Sequence, residues 1–92
     1  MIFGLKCKLM IPNAYSLKEK RRILSSLLTR GRQKFEISVC ELGEHELYNM
    51  TVIEAAYCGN DGRIIENNLR EFLRWIEENY PVEIIEVEWS QV

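Results

Sequence analysis

The chain has 92 residues, of which 47% are hydrophobic and 28% are charged, and its formal net charge is −2. These proportions are typical of one small globular domain over residues 1–92, and no apolar run reaches the ~18–20 residues of a membrane span. The first residues also lack the charged-then-apolar order of a signal peptide. We therefore expect a single cytoplasmic domain without a membrane partner.

The start of the chain alternates between apolar and polar side chains, which predicts a half-buried strand from Ile2 to Ile11. Pro12 and Asn13 should end this strand. The side expected to face the core carries Phe3, Leu5, Cys7, Leu9 and Ile11.

A helix is predicted to begin at Ser16, because Ser16 and Glu19 form an S-x-x-E capping box. Lys20 falls within the apolar stripe of this helix, and we expect its stem to pack on Tyr15 while its ammonium group reaches solvent. Gly31 costs ~1 kcal/mol relative to alanine, so the helix is expected to fray or end there. The stripe comprises Leu17, Leu24, Leu27, Leu28 and Gly31.

Two strands follow the first helix, one over residues 35–41 and one over residues 48–58. A short turn at residues 43–46 joins them. In the later strand, Glu54 should share a sheet face with Lys6 and Lys8, where opposite charges on neighbouring strands attract. The core side of that strand is predicted to carry Thr51, Ile53, Ala55 and Tyr57.

A second helix and a last strand complete the predicted elements. The helix follows the turn at residues 59–62 and ends before Pro81. In the last strand, Ile85, Val87 and Trp89 are expected to face inward. The apolar stripe of the helix comprises Ile65, Leu69, Phe72, Leu73 and Ile76.

The element order β-α-β-β-α-β predicts a ferredoxin-like α+β sandwich, with a four-stranded antiparallel sheet and both helices on one face. The other sheet face is left to solvent or to a partner. A homodimer through that face and a solvated face are both open possibilities. The apolar patch expected there comprises Tyr48, Met50, Val52 and Ile84.

Charge is distributed unevenly along the chain. Residues 1–34 contain nine basic residues and one acidic residue, whereas residues 35–92 contain three basic and thirteen acidic residues. Four of the cations lie near the N-terminus of the first helix, where the helix dipole disfavours each by ~0.3–1 kcal/mol. Such a cluster favours anion binding over a merely solvated face. The candidate anion- or RNA-binding residues are Lys18, Lys20, Arg21, Arg22, Ser25 and Arg32.

No pattern of catalytic residues, metal ligands or cofactor-binding residues is found. His45, the single histidine, is flanked by two glutamates and is expected to be a plain surface residue. The three cysteines are widely spaced, which favours reduced thiols that mostly pack over a disulfide framework or a zinc site. Cys7 should point into the core and be a poor nucleophile. We therefore expect a protein that is not an enzyme.

Reading of RNA bases by the sheet itself is not expected. An RRM stacks bases on aromatic side chains of its central strands. The first strand here offers Lys6 and Lys8 on its open face, without an aromatic residue, and neighbouring glutamates would repel phosphate.

The stretch from Ile11 to Arg22, IPNAYSLKEKRR, resembles the YlxP-like family of small bacterial proteins, a domain of unknown function. The likeness covers nearly the whole chain, and SLKEKRR is its most specific element. The resemblance implies a ferredoxin-like fold and a gene neighbourhood of translation-initiation and ribosome-maturation factors, but no catalytic residues. The chain departs from the family pattern at Tyr48, where tryptophan is frequent, and at Gly31, where leucine is frequent between two basic residues.

We therefore expect a binding module whose first helix docks on structured RNA or a ribonucleoprotein, such as the small ribosomal subunit. Two alternatives stay open. The basic helix could pair with an acidic protein surface, including the acidic half of a second copy. It could also bind a phosphorylated metabolite at the Ser16 end of the helix.

Overall fold

The computed structural model contains four strands and two helices in the order β-α-β-β-α-β. It describes residues 1–91, and Val92, the last residue of the predicted domain, lies outside the described residues. The strands form one antiparallel sheet in the order β2-β3-β1-β4, which confirms the predicted ferredoxin-like fold. Within residues 1–91, neither helix is both long and apolar enough to cross a membrane. The elements are β1 (Ile2–Met10), α1 (Leu17–Phe35), β2 (Ser38–Gly43), β3 (Met50–Cys58), α2 (Gly62–Asn79) and β4 (Glu83–Gln91).

The core lies between one face of the sheet and the two helices. The predicted alternation of β1 and β3 is confirmed, and Lys6 pairs with Glu54 on the opposite, open face. α2 contributes the predicted stripe together with Trp75, which is 7% exposed. The buried residues of the two central strands are Gly4, Leu5, Cys7, Leu9, Thr51, Ile53 and Ala55.

α1 continues through Gly31 to Phe35, so the expected fraying at Gly31 is wrong. Gly31 is buried against α2, where a Cβ atom would lie 2.8 Å from Cε1 of Phe72. The glycine therefore serves the close approach of the two helices. The helix ends at Phe35, and its C-cap Glu36 adopts the left-handed conformation at φ 55°, so Phe35 belongs to α1 and not to the second strand.

β4 contains an irregularity that changes which of its residues face inward. Its register with β1 shifts between Lys8, which pairs with Glu86, and Leu9, which pairs with Ile84. Ile85 is therefore an extra residue of the kind found at a β-bulge. Ile84 packs against the core, whereas Ile85 is 48% exposed, so the predicted inward position of Ile85 and the predicted open-face position of Ile84 are both wrong.

Beyond this irregularity, Val87 and Trp89 lie on the core side of the sheet, opposite Cys7 and Leu5 of β1. Val87 packs against the core as predicted. Trp89 stays 37% exposed at the sheet edge, where the Arg70 guanidinium carbon lies 4.8 Å from the ring centroid. The indole is thus covered by a cation from α2 and is not part of the core cluster.

Candidate anion-binding face on the first helix

The N-terminus of α1 is fixed by local hydrogen bonds. Ser16 Oγ accepts a hydrogen bond from the backbone N–H of Glu19 at 3.1 Å, as the capping box predicts. The Glu19 carboxylate accepts from the backbone N–H of Tyr15 at 2.8 Å, one residue earlier than a capping box requires. Glu19 is the single acidic residue of α1, so its carboxylate is already engaged at the helix end.

Lys20 lies inside the protein and does not reach the surface. Its side chain is 0% exposed, and Nζ donates to the carbonyl oxygens of Glu44 and Leu47 at 2.7 and 2.6 Å. The Glu41 carboxylate lies 3.2 Å from the same nitrogen, so the three ammonium donors are matched by three acceptors. The expectation that this ammonium group reaches solvent is wrong, and Lys20 does not belong to the anion-binding face.

The carboxylate of Glu41 is the centre of the polar cluster that holds Lys20. It accepts from Arg21 Nη1 at 2.7 Å and from Thr51 Oγ1 at 2.8 Å, and its side chain is 7% exposed. Burial by itself would raise the pKa of this carboxyl, but the hydrogen bonds from Arg21, Thr51 and Lys20 lower the pKa below its usual value. Glu41 is therefore ionised at neutral pH and joins α1 to the sheet.

Arg21 and Arg32 are partly engaged by the protein itself. Arg21 Nη2 also donates to the His45 carbonyl at 3.2 Å. Arg32 donates through Nε and Nη2 to the Val39 carbonyl, at 3.1 and 2.8 Å, and so satisfies an acceptor of the edge strand β2. The two guanidinium groups border a groove of about 250 Å³ whose other lining residues are Leu24, Ser25, Leu28 and Thr29.

Lys18 and Arg22 are two cations of α1 that an anion can reach from solvent. Both side chains are exposed, and they lie one helical turn apart. Within residues 1–91, neither takes part in an ion pair. Together with Ser16 and Glu19 they line a depression of about 510 Å³, and the exposed Ser25 follows one turn later. Of the predicted site residues, Lys18, Arg22 and Ser25 thus face solvent on one side of the helix, together with the partly engaged Arg21 and Arg32.

Sequence reasoning missed a further cationic position, Arg30, at the junction of α1 and α2. Arg30 Nη1 donates to the Tyr80 hydroxyl at 3.1 Å, and the guanidinium carbon lies 5.5 Å from the Trp75 ring centroid and 5.8 Å from that of Tyr80. The Tyr80 hydroxyl is also hydrogen-bonded to Ser26 Oγ at 2.9 Å. Both aromatic residues are distant in sequence, so no local pattern around Arg30 could have indicated them.

The cysteines and the single histidine have different surroundings. Cys7 is buried, which confirms its predicted core position, and its burial together with the charge of Glu77 raises the pKa of the thiol to about 12, as is typical of an unreactive cysteine. Cys40 and Cys58 are exposed, contrary to the expected packing role. His45 lies at the surface, with Nε2 3.7 Å from a Glu41 oxygen. Within residues 1–91, no three His, Cys, Asp or Glu side chains converge as metal ligands would.

The open face of the sheet carries charges of both signs. The cross-strand neighbours of Lys6 and Lys8 include three carboxylates, so this face attracts phosphate less than α1 does. Ile84 faces the core, which removes it from the apolar patch predicted there. The three carboxylates belong to Glu54, Glu86 and Glu88.

Two structures share this fold at low sequence identity. Protein YJCS, from a structural genomics effort, has a TM-score of 0.61 and 12% identity, with 100% of this chain and 99% of that chain covered. SnoaB, a cofactor-independent oxygenase from Streptomyces nogalater, has a TM-score of 0.59 and 9% identity, with 99% and 92% covered. At such identities the likeness concerns the fold alone.

Sequence comparison gives a closer relationship. The chain is 33% identical over 91 residues to the uncharacterized protein YlxP of Bacillus subtilis (strain 168), with 97% of this chain and 99% of that protein covered. Residues 2–89 match the family model described as "Protein of unknown function (DUF503)". The resemblance seen in the SLKEKRR segment is confirmed by both matches, and the chain belongs to the DUF503 family.

Proposed function

We propose that this protein is a non-enzymatic binding module whose first helix docks on structured RNA, free or within a ribonucleoprotein. The observation that carries the proposal is the separation of charge. Exposed cations gather on α1, whose one carboxylate is held in the helix cap, while residues 35–92 contain thirteen acidic and three basic residues. A polyanion responds to this local field and not to the net charge of −2.

The proposed contact surface runs along the solvent side of α1. Lys18, Arg22 and Ser25 supply two exposed cations and a hydroxyl group, which suit the oxygens of a sugar-phosphate backbone. From Lys18 to Arg32 the helix spans roughly 21 Å at 1.5 Å per residue, enough for several phosphates. Arg21 and Arg32 lie along the same flank and hold part of their guanidinium groups toward β2.

The gene neighbourhood that the YlxP-like resemblance implies supports RNA over the two alternatives, an acidic protein surface and a phosphorylated metabolite. We therefore place the proposed activity in the cytoplasm, in ribosome maturation or translation, with the small ribosomal subunit as the first partner to test. The gene neighbourhood bears on the cellular process, whereas the charged face of α1 bears on the contact with RNA.

Co-sedimentation with purified small ribosomal subunits tests the proposal. We expect Lys18→Gln combined with Arg22→Gln to weaken binding at least about tenfold and to lower the salt dependence of binding, because two phosphate contacts are lost. Lys6→Gln combined with Lys8→Gln removes the same charge from the open sheet face and should change affinity less than about twofold. All variants are compared in one oligomeric state, as measured by light scattering.

Equal losses in the two double variants would contradict a specific role of α1, since only total charge would then matter. Unchanged binding in the α1 variant would place the contact elsewhere. Stabilisation by a mononucleotide in a thermal shift assay, without any binding of ribosomal particles, would favour the metabolite alternative.

A further inference from the structure

We propose that a pocket beside Arg30 accepts one unpaired base of the bound RNA, stacked on the solvent side of the Arg30 guanidinium. This inference rests on the proposed function and adds the class of RNA that the face would prefer. The pocket has a volume of about 290 Å³ and lies at the C-terminal part of α1, where the helix meets α2. Its lining residues are Arg30, Gln33, Lys34 and Trp75.

The guanidinium of Arg30 is held in place before any ligand arrives. Its central carbon lies 5.5 and 5.8 Å from the ring centroids of Trp75 and Tyr80, whose planes are 72° apart, and Nη1 donates to the Tyr80 hydroxyl. Ser26 hydrogen-bonds the same hydroxyl. A planar cation covered by aromatic rings on one side offers its other side to another π system, and nucleobases stack on arginine in this way. Because the side chain is already ordered, stacking costs little conformational entropy.

Packed aromatic rings support Arg30 from below. Trp75 contacts Phe35 and Tyr80 edge to face, with centroids 5.5 and 5.4 Å apart, and lies 6.1 Å from Phe72. Trp75 is itself 7% exposed, so its ring is covered and the exposed guanidinium provides the stacking surface. Such clustered aromatic side chains restrict motion of the residues that they contact.

The rim of the pocket supplies the remaining chemistry of a nucleotide. The Gln33 amide can both donate and accept a hydrogen bond at a base edge, and the Lys34 ammonium, 5.8 Å from the Phe35 ring centroid, can meet a phosphate. The volume lies at the lower end of the range for ligand pockets, about 300–1,000 Å³, which suits one base and not a stacked duplex. The pocket therefore selects RNA with an unpaired loop near the backbone that α1 contacts.

Two RNA hairpins that differ in their loops test this inference by fluorescence anisotropy. One carries a short unpaired loop, and the other has the same stem and phosphates but abasic loop positions. We expect the protein to prefer the first by about tenfold, as base stacking predicts. Arg30→Lys keeps the charge but removes the planar surface, so the preference should fall below about twofold while affinity for the abasic hairpin is unchanged. Tyr80→Phe keeps the ring, removes the hydroxyl that holds Arg30, and should reduce the preference partially.

The emission of Trp75, recorded in a Trp89→Phe background, provides a second readout. It should change on binding the first hairpin and not the abasic one, because the base lies against the guanidinium that covers Trp75. Equal affinity for the two hairpins would overturn this inference and leave the proposed function intact. If Arg30→Lys kept the full preference for the hairpin with the unpaired loop, the proposed stacking of a base on Arg30 would be overturned. Failure of both hairpins to bind would overturn the inference together with the RNA proposal.

Discussion

Lys18 and Lys20 lie two positions apart in α1, yet they have opposite surroundings. Lys18 faces solvent, whereas Lys20 is fully buried among acceptors that lie 21 to 27 positions later in the chain. Those acceptors offset the unfavourable helix dipole at Lys20, so its charge is explained within the fold. At Lys18 and Arg22 no such acceptor is found within residues 1–91, and these are the two cations that we propose contact an external anion.

Replacement of Lys20 by methionine should destabilise the protein by about 3 kcal/mol, because it leaves the largely buried Glu41 carboxylate without its ammonium partner and two carbonyls without their donor. Lys18→Met is the matched control at an exposed site and should change stability by less than about 0.5 kcal/mol. Urea unfolding monitored by circular dichroism measures both. A loss below about 1 kcal/mol in Lys20→Met would mean that methionine fills the site as well as the charged cluster does.

At the scale of single elements, local signals determined most of what could be predicted. The alternation of β1 and the Ser16 cap follow from neighbours in the sequence, and both are confirmed. The errors arise where distant packing decides. Gly31 indicates a helix end when considered alone, but the proximity of Phe72 requires a glycine there. Similarly, the extra residue Ile85 reflects pairing with β1, which the sequence of β4 alone does not reveal.

Gly31→Ala tests the packing of α1 on α2. Alanine gains about 1 kcal/mol of helix propensity, but its Cβ would lie 2.8 Å from Cε1 of Phe72, whose ring is fully buried. Overpacking of this kind costs about 1–3 kcal/mol, so we expect a net loss and a melting temperature lower by several degrees. In a Phe72→Leu background the same substitution should be neutral or stabilising, which a double-mutant cycle would show. A higher melting temperature for Gly31→Ala alone would contradict a tight contact.

For the whole molecule, the sequence predicted where opposite charges concentrate but not which cations remain available. The division of basic and acidic residues is visible in the chain itself, and so is the candidate helix. The partial engagement of Arg21 and Arg32 depends on contacts with β2 residues, which only the folded chain brings near α1. The Arg30 pocket depends still more on the folded chain, since the packing of the two helices brings Trp75 and Tyr80 to Arg30.

The open sheet face is self-complementary in charge, with Lys6 and Lys8 on β1 beside Glu88 and Glu86 on β4. In a two-fold arrangement of two copies, the lysine row of each can lie against the glutamate row of the other. We therefore expect a dimer at low salt that dissociates as salt screens these pairs. The dimer would leave α1 free, because both helices lie on the opposite side of the sheet from this interface.

Multi-angle light scattering across salt concentrations measures this association. Lys6→Glu combined with Lys8→Glu should give a monomer at every salt concentration, since like charges would then meet across the interface. Lys18→Glu combined with Arg22→Glu introduces the same change in charge on α1 and should leave the dimer intact. Dissociation by the α1 variant alone would instead support pairing of the basic helix with the acidic half of a second copy. A monomer under all conditions would contradict both forms of self-association.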